Sequence, residues 1–146
     1  MLTDLLSPYI VAGVLGWIVY QSGKYLIASV KHGKLASYRQ LYLSGHMPSA
    51  HSSTVVAVLV VIGCTEGVHS ALFGLALVFA SVVIYDAMMV RRSSGEQGIA
   101  ITGLIKEQKS NVPYPRVAMG HTPLEVAVGS LIGAIVGLAV YYVSIM

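Results

Sequence analysis

Residues 70–90 read Ser70-Ala-Leu-Phe-Gly-Leu-Ala-Leu-Val-Phe-Ala-Ser-Val-Val-Ile-Tyr-Asp-Ala-Met-Met-Val90, followed at once by Arg91 and Arg92. A helix needs ~20 predominantly apolar residues to cross a ~30 Å hydrocarbon core, and this run supplies them. Its one acid, Asp86, lies inside the apolar stretch, where a carboxylate is costly unless it is paired. Arg91 is a candidate partner.

Three more apolar segments flank it, at about residues 5–30, 52–64 and 122–146. The first and last are long enough to span. The second reaches spanning length only when counted from Pro48 to Gly67, so its polar beginning must be buried against protein rather than face lipid. The chain has 146 residues, 55% of them hydrophobic and only 10% charged, and its mean hydropathy is +0.75. A soluble domain carries about a quarter charged residues, so lipid is the expected solvent for most of this chain. These features predict an all-α, polytopic membrane helix bundle of about four spans, forming a single domain over residues 1–146.

The N-terminus lacks the basic region of a cleavable signal peptide, because Asp4 is the only charge before Lys24. Cys64, the single cysteine, allows no intrachain disulfide and says little about compartment.

The connections differ sharply. Residues 65–69 form a tight turn, whereas 31–50 and 91–121 are long and polar. Within the latter, residues 99–105 are apolar enough for a short interfacial or re-entrant helix, and the two prolines of Asn111-Val-Pro-Tyr-Pro115 dictate a loop.

With four spans, both long connections lie on one membrane face, and the termini and the tight turn lie on the other. All nine basic residues fall on the first face: Lys24, Lys31, Lys34, Arg39, Arg91, Arg92, Lys106, Lys109 and Arg116. Asp4 and Glu66 belong to the second. The positive-inside rule then places the polar loops in the cytoplasm and both termini outside. The basic pI reads as membrane topology, and no nucleic-acid-binding motif is present.

Four polar clusters converge on the basic face. Ser44-Gly-His-Met-Pro-Ser-Ala-His-Ser-Ser53 precedes the second span; Ser49, His51, Ser52 and Ser53 surround a helix N-terminus, whose free N–H groups suit an oxyanion. Gly120-His-Thr-Pro-Leu-Glu125 opens the fourth span and sets His121 and Glu125 four residues apart, on one helical face. A carboxylate-held histidine suits a nucleophile or general base; the same pair also suits two metal ligands. The third cluster is Asp86 with Arg91, and the fourth is Gln21-Ser-Gly-Lys24.

Each cluster alone has an ordinary explanation: a serine-rich cap, a first-turn glutamate favouring the helix dipole, a structural Asp–Arg pair, a lysine snorkelling to the headgroups. Independent structural features have no reason to choose one side. Phosphoryl transfer needs these parts together: cations and N–H groups to hold charge, a nucleophile, and an acid for the leaving oxygen.

At these residues a family resemblance emerges. The 44–53 segment resembles the Ser-Gly-Gly-Met-Pro-Ser-Ser-His-Ser-Ala signature of the divergent branch of the type-2 phosphatidic-acid phosphatases, relatives of the vanadium-dependent haloperoxidases in the acid phosphatase superfamily. Gln21-x-x-Lys24, Tyr85-Asp-Ala through Arg91 with Gly95-x-Gln97, and Gly120-His-Thr-Pro-Leu-Glu125 extend the match in family order.

The resemblance implies a metal-independent, cofactor-free phosphatase acting on lipid-linked phosphates. His121 would be the nucleophile that forms a phosphohistidine. His51 would protonate the leaving group, and Glu125, where the wider family has Asp, would hold His121. Lys24, Ser49 and Arg91 would bind phosphate, with Asp86 and Ser52 in support. His46 stands where the signature has glycine, Ala50 stands where it has a small Ser or Gly, and the wider family's Ser-Arg before the nucleophile is absent; Arg39 and Arg116 are the candidate replacements. Isoprenoid (di)phosphates, phosphatidic acid and phosphatidylglycerol phosphate all fit as substrates, and lipid is the expected surrounding partner.

Two rival readings are a non-catalytic anion-binding or transport protein, and a metal-dependent hydrolase using His51, Asp86, His121 and Glu125 as ligands. Gly129-x-x-x-Gly133-x-x-x-Gly137 lines one face of the fourth span and lets helices approach closely. Packing within the chain is its expected use, with a homodimer as the alternative.

Overall fold

The structure is a computed structural model that describes residues 7–32, 50–115, 117 and 119–146, with the backbone alone for 27, 28, 31 and 32. Among the described residues there is no strand. Helix α1 covers Pro8–His32, α2 Ala50–Thr65, α3 Ala71–Tyr85, α4 Arg91–Glu107 and α5 Pro123–Ser144. A π-helical turn, Asp86–Val90, joins α3 to α4 without a break, giving one helical rod of 37 residues, Ala71–Glu107.

α2 is the centre of the bundle and packs against α1, α3 and α5. The contacts set the directions. Tyr9 at the start of α1 meets Thr65 and Glu66 at the far end of α2, while Gly16 meets Ser53 near its beginning; the two helices are antiparallel. Gly133 faces Ser53 and Gly137 faces Ala57, so α5 runs parallel to α2. Gly63 faces Phe73 across the tight turn, which makes α3 antiparallel.

The interior is built of small side chains and the exterior of large apolar ones. Ala12, Ala57, Val61, Ala80, Ser52 and Ser53 are buried, with Gly129, Gly133 and Gly137 on α5. Leu75, Val78, Phe79, Leu131, Ile135 and Val143 face outward. Such a surface suits lipid, where helices associate through close packing rather than through the hydrophobic effect. A Cβ at Gly137 would lie 2.6 Å from the Ala57 carbonyl oxygen, so the glycine stripe serves packing within the chain.

Among the described residues, two helices are long and apolar enough to cross a membrane, the Ala71–Glu107 rod and α5; α2 is apolar but has only 16 residues. The two serines near its beginning are enclosed by protein: Ser52 and Ser53 are fully buried, and the Ser53 hydroxyl donates to the Gly16 carbonyl at 3.1 Å, while His51 before them is exposed.

The 99–105 segment is helical but not separate. It belongs to the rod, which at ~1.5 Å per residue extends about 55 Å, well beyond a ~30 Å hydrocarbon core. Gly95, Gly98 and Ile105 form its buried side, and the returning chain covers it at Val117, whose side chain packs on Gly98.

Candidate active site

Helix register brings the polar clusters to one end of the bundle. Counting back equally from the Gly63–Phe73 contact places Asp86 level with the first turn of α2. Because α5 runs parallel to α2, its own start, with His121 and Glu125, projects to the same end. α1 reaches that end with Tyr20 and then Lys24, one turn further along.

His121 and Glu125 form the best-defined part. His121 Nδ1 lies 3.3 Å from Glu125 Oε2, with side chains only 14% and 13% exposed. A carboxylate only accepts, so the bond keeps the ring proton on Nδ1 and leaves the Nε2 lone pair for chemistry. The helix start that carries the pair is strongly specified. Thr122 is the N-cap, Pro123 occupies the first turn, and a capping box ties the Thr122 side chain to the Glu125 N–H while the Glu125 carboxylate takes the Thr122 N–H. One carboxylate therefore both caps α5 and holds the histidine.

Asp86 and Arg91 are paired, Arg91 Nε to Asp86 Oδ2 at 2.8 Å, with side chains about half exposed. Five residues apart on an α-helix would put them roughly 140° apart around the axis. The π-helical turn between them, closed by the Arg91 N–H bonding to the Asp86 carbonyl, brings them onto one face. Asp86 takes the Nε–H of Arg91, which leaves the Nη donors of the fork for another anion.

His51, in the first turn of α2, lies within electrostatic reach of Arg91, His121 and Asp86. Ser52 beside it is fully buried. Lys24 is half-buried. Ser49, His46, Arg39 and Arg116 lie outside the described residues. Among the described residues, no three His, Cys, Asp or Glu side chains gather closely enough to share a metal ion.

Two features escaped the sequence reading. Tyr20 is 4% exposed and within electrostatic reach of Glu125; its place one residue before the Gln21-x-x-Lys24 motif was the available signal. The other is the π-helical turn, which Asp-Ala-Met-Met-Val does not announce. Its carbonyl at Ala87 accepts the His121 N–H at 2.9 Å.

Fold and site define a helical membrane protein with a histidine–carboxylate pair, a second histidine and a held arginine at one end. The profile of the Divergent PAP2 family matches residues 5–136, and the chain belongs to that family. It is 32% identical over 114 residues, 68% of its own length and 72% of the relative's, to the "uncharacterized membrane protein YuiD" of Bacillus subtilis (strain 168). No solved structure matches significantly.

Proposed function

We propose that this protein is a multi-pass membrane phosphatase that hydrolyses lipid-linked phosphate monoesters or diphosphates through a phosphohistidine. The observation that carries the reading is the largely buried His121–Glu125 pair, with His51 in electrostatic reach of both His121 and Arg91. His121 Nε2 attacks phosphorus in line with the leaving oxygen while Glu125 stabilises the imidazolium that develops. His51 gives its proton to that oxygen and then takes one from the water that cleaves the phosphohistidine. Arg91, held by Asp86, and Lys24 neutralise the equatorial oxygens, and Ser49 donates a hydrogen bond to them. Arg39 and Arg116 are the reserve cations for that role. Membership in the Divergent PAP2 family supports the same chemistry.

Four crossings suit this arrangement, with the nine basic residues on the active side. On the positive-inside rule that side is cytoplasmic, and the substrate is a lipid phosphate of the inner leaflet. The test is phosphate release from isoprenoid monophosphates and diphosphates, phosphatidic acid and phosphatidylglycerol phosphate by the purified protein in detergent, beside His121→Ala. Turnover that His121→Ala abolishes and a chelator does not is the expected result. Oxyanion binding without turnover of any of these lipids overturns the phosphatase reading and leaves an anion-binding protein.

A further inference from the structure

We infer that the π-helical turn Asp86–Val90 is the receptor that fixes the position of His121, with Gly120 and Ala87 as positioning residues. In a regular α-helix the Ala87 carbonyl would be occupied by the N–H of Arg91. Here that N–H goes to Asp86 instead, and Ala87, itself buried, accepts the backbone N–H of His121 at 2.9 Å. The irregularity opens a backbone acceptor in mid-helix, and a residue from the chain entering α5 fills it.

Gly120 makes the approach feasible. A Cβ there would fall 2.5 Å from the Arg92 nitrogen, 2.8 Å from the Ala87 oxygen and 2.9 Å from the Arg92 Cα. All three are backbone atoms of the rod, which cannot swing aside as a side-chain tip does. The same turn places Arg91 over Asp86. One local deformation therefore makes two arrangements at once: it pairs the arginine with Asp86 on its own helix and receives the backbone of the histidine delivered to it. π-bulges often sit at functional sites, and this one links two chain segments that no regular helix would hold together.

The kinetic arm of the test rests on His121 being the nucleophile; the structural arm does not. The full-length protein in detergent is compared with Gly120→Ala, with a deletion of Met88, and with Gly103→Ala as control, since nothing lies within 4 Å of a Cβ at Gly103. A π-turn holds one residue more than an α-turn, so deleting Met88 restores regular bonding, keeps both flanks on their faces and leaves Asp86 and Arg91 paired.

Backbone amide exchange at His121 should be slow in the wild type and in the control, and fast in the other two variants. Those two should also lose about 10²-fold in kcat, the cost of an ångström-scale misplacement, with KM and orthovanadate inhibition near wild type. Fast exchange at His121 in the wild type overturns the inference. Full kcat with slow exchange in Gly120→Ala, or in the Met88 deletion if Gly120→Ala does not fold, does the same. Slow wild-type exchange in a protein that hydrolyses no lipid phosphate upholds the docking and removes the phosphatase reading instead.

Discussion

His121 and Glu125 are joined side chain to side chain at 3.3 Å, and the oxygen that makes this contact also accepts the Thr122 N–H at 2.9 Å. The hold on His121 and the helix cap thus share a single atom, and substitution can separate them. Glutamine serves a capping box as well as glutamate does, so Glu125→Gln should keep the thermal stability while losing the charge that supports an imidazolium. Turnover should fall by about 10²-fold or more. Thr122→Ala should do the opposite, costing about 1 kcal/mol of stability with the histidine still held. Thermal unfolding and phosphate release, measured on both variants, separate the two roles.

The two histidines should differ in kind. His121→Ala should abolish both turnover and trapping of a phosphoenzyme. His51→Ala should slow turnover by ~10²–10⁴-fold for lipid substrates with poor alkoxide leaving groups, and much less for an aryl phosphate whose leaving group needs no proton. A uniform loss across leaving groups would refute the acid role of His51.

Asp86→Asn tests what the ion pair is for. A pair this exposed contributes at most about 1 kcal/mol to stability, so unfolding should barely change. With Arg91 no longer held, competitive inhibition by orthovanadate should weaken. Arg91→Lys should weaken it as well, since a lysine offers no planar fork. Unchanged inhibition in both variants would move the oxyanion away from Arg91.

Packing makes a separate prediction. Gly137→Val puts a branched side chain where a single Cβ already lies 2.6 Å from backbone. Overpacking of this kind costs about 1–3 kcal/mol, and the loss should show in thermal unfolding in detergent. Gly74→Ala, with open space around it, should be silent.

Sidedness is read by thiol labelling in intact cells. Cys64 is exposed beside the tight turn, so Cys64→Ser is the necessary background. Ser110→Cys, beyond the end of the rod, should resist a membrane-impermeant reagent until the membrane is opened, while a cysteine placed after Met146 should react at once. The reverse pattern would invert the topology and leave the chemistry intact.

Much of this was legible in the residues themselves. The helices follow the apolar runs, because hydrocarbon permits few other structures. The pairing of Asp86 with Arg91 follows from the cost of a lone acid in an apolar stretch, and that of His121 with Glu125 from helical periodicity. The extent of the rod was hidden. Arg91-Arg-Ser-Ser-Gly95 is polar and includes a glycine, so it reads as the end of a span, yet helix continues to Glu107, and the returning chain packs on it where Gly98 gives Val117 room. The π-turn was hidden for a related reason. It exists to meet His121, a residue 34 positions from Ala87, and local pattern carries no record of so distant a partner.

The unbroken rod also shapes the electric field at the site. A helix ends in a partial negative charge of about half a unit at its carbonyl end and a positive one at its amide end. Had the rod stopped at Tyr85, its negative end would lie beside the proposed anion site. Running on through Asp86–Val90 to Glu107, it discharges that end about 25 Å away, and α1 likewise continues past Lys24 to His32. The two helices that do terminate here, α2 and α5, are parallel and present their amide ends. Among the described helices, a doubly charged phosphate at His121 would therefore meet two positive termini and no negative one, before any side chain is counted.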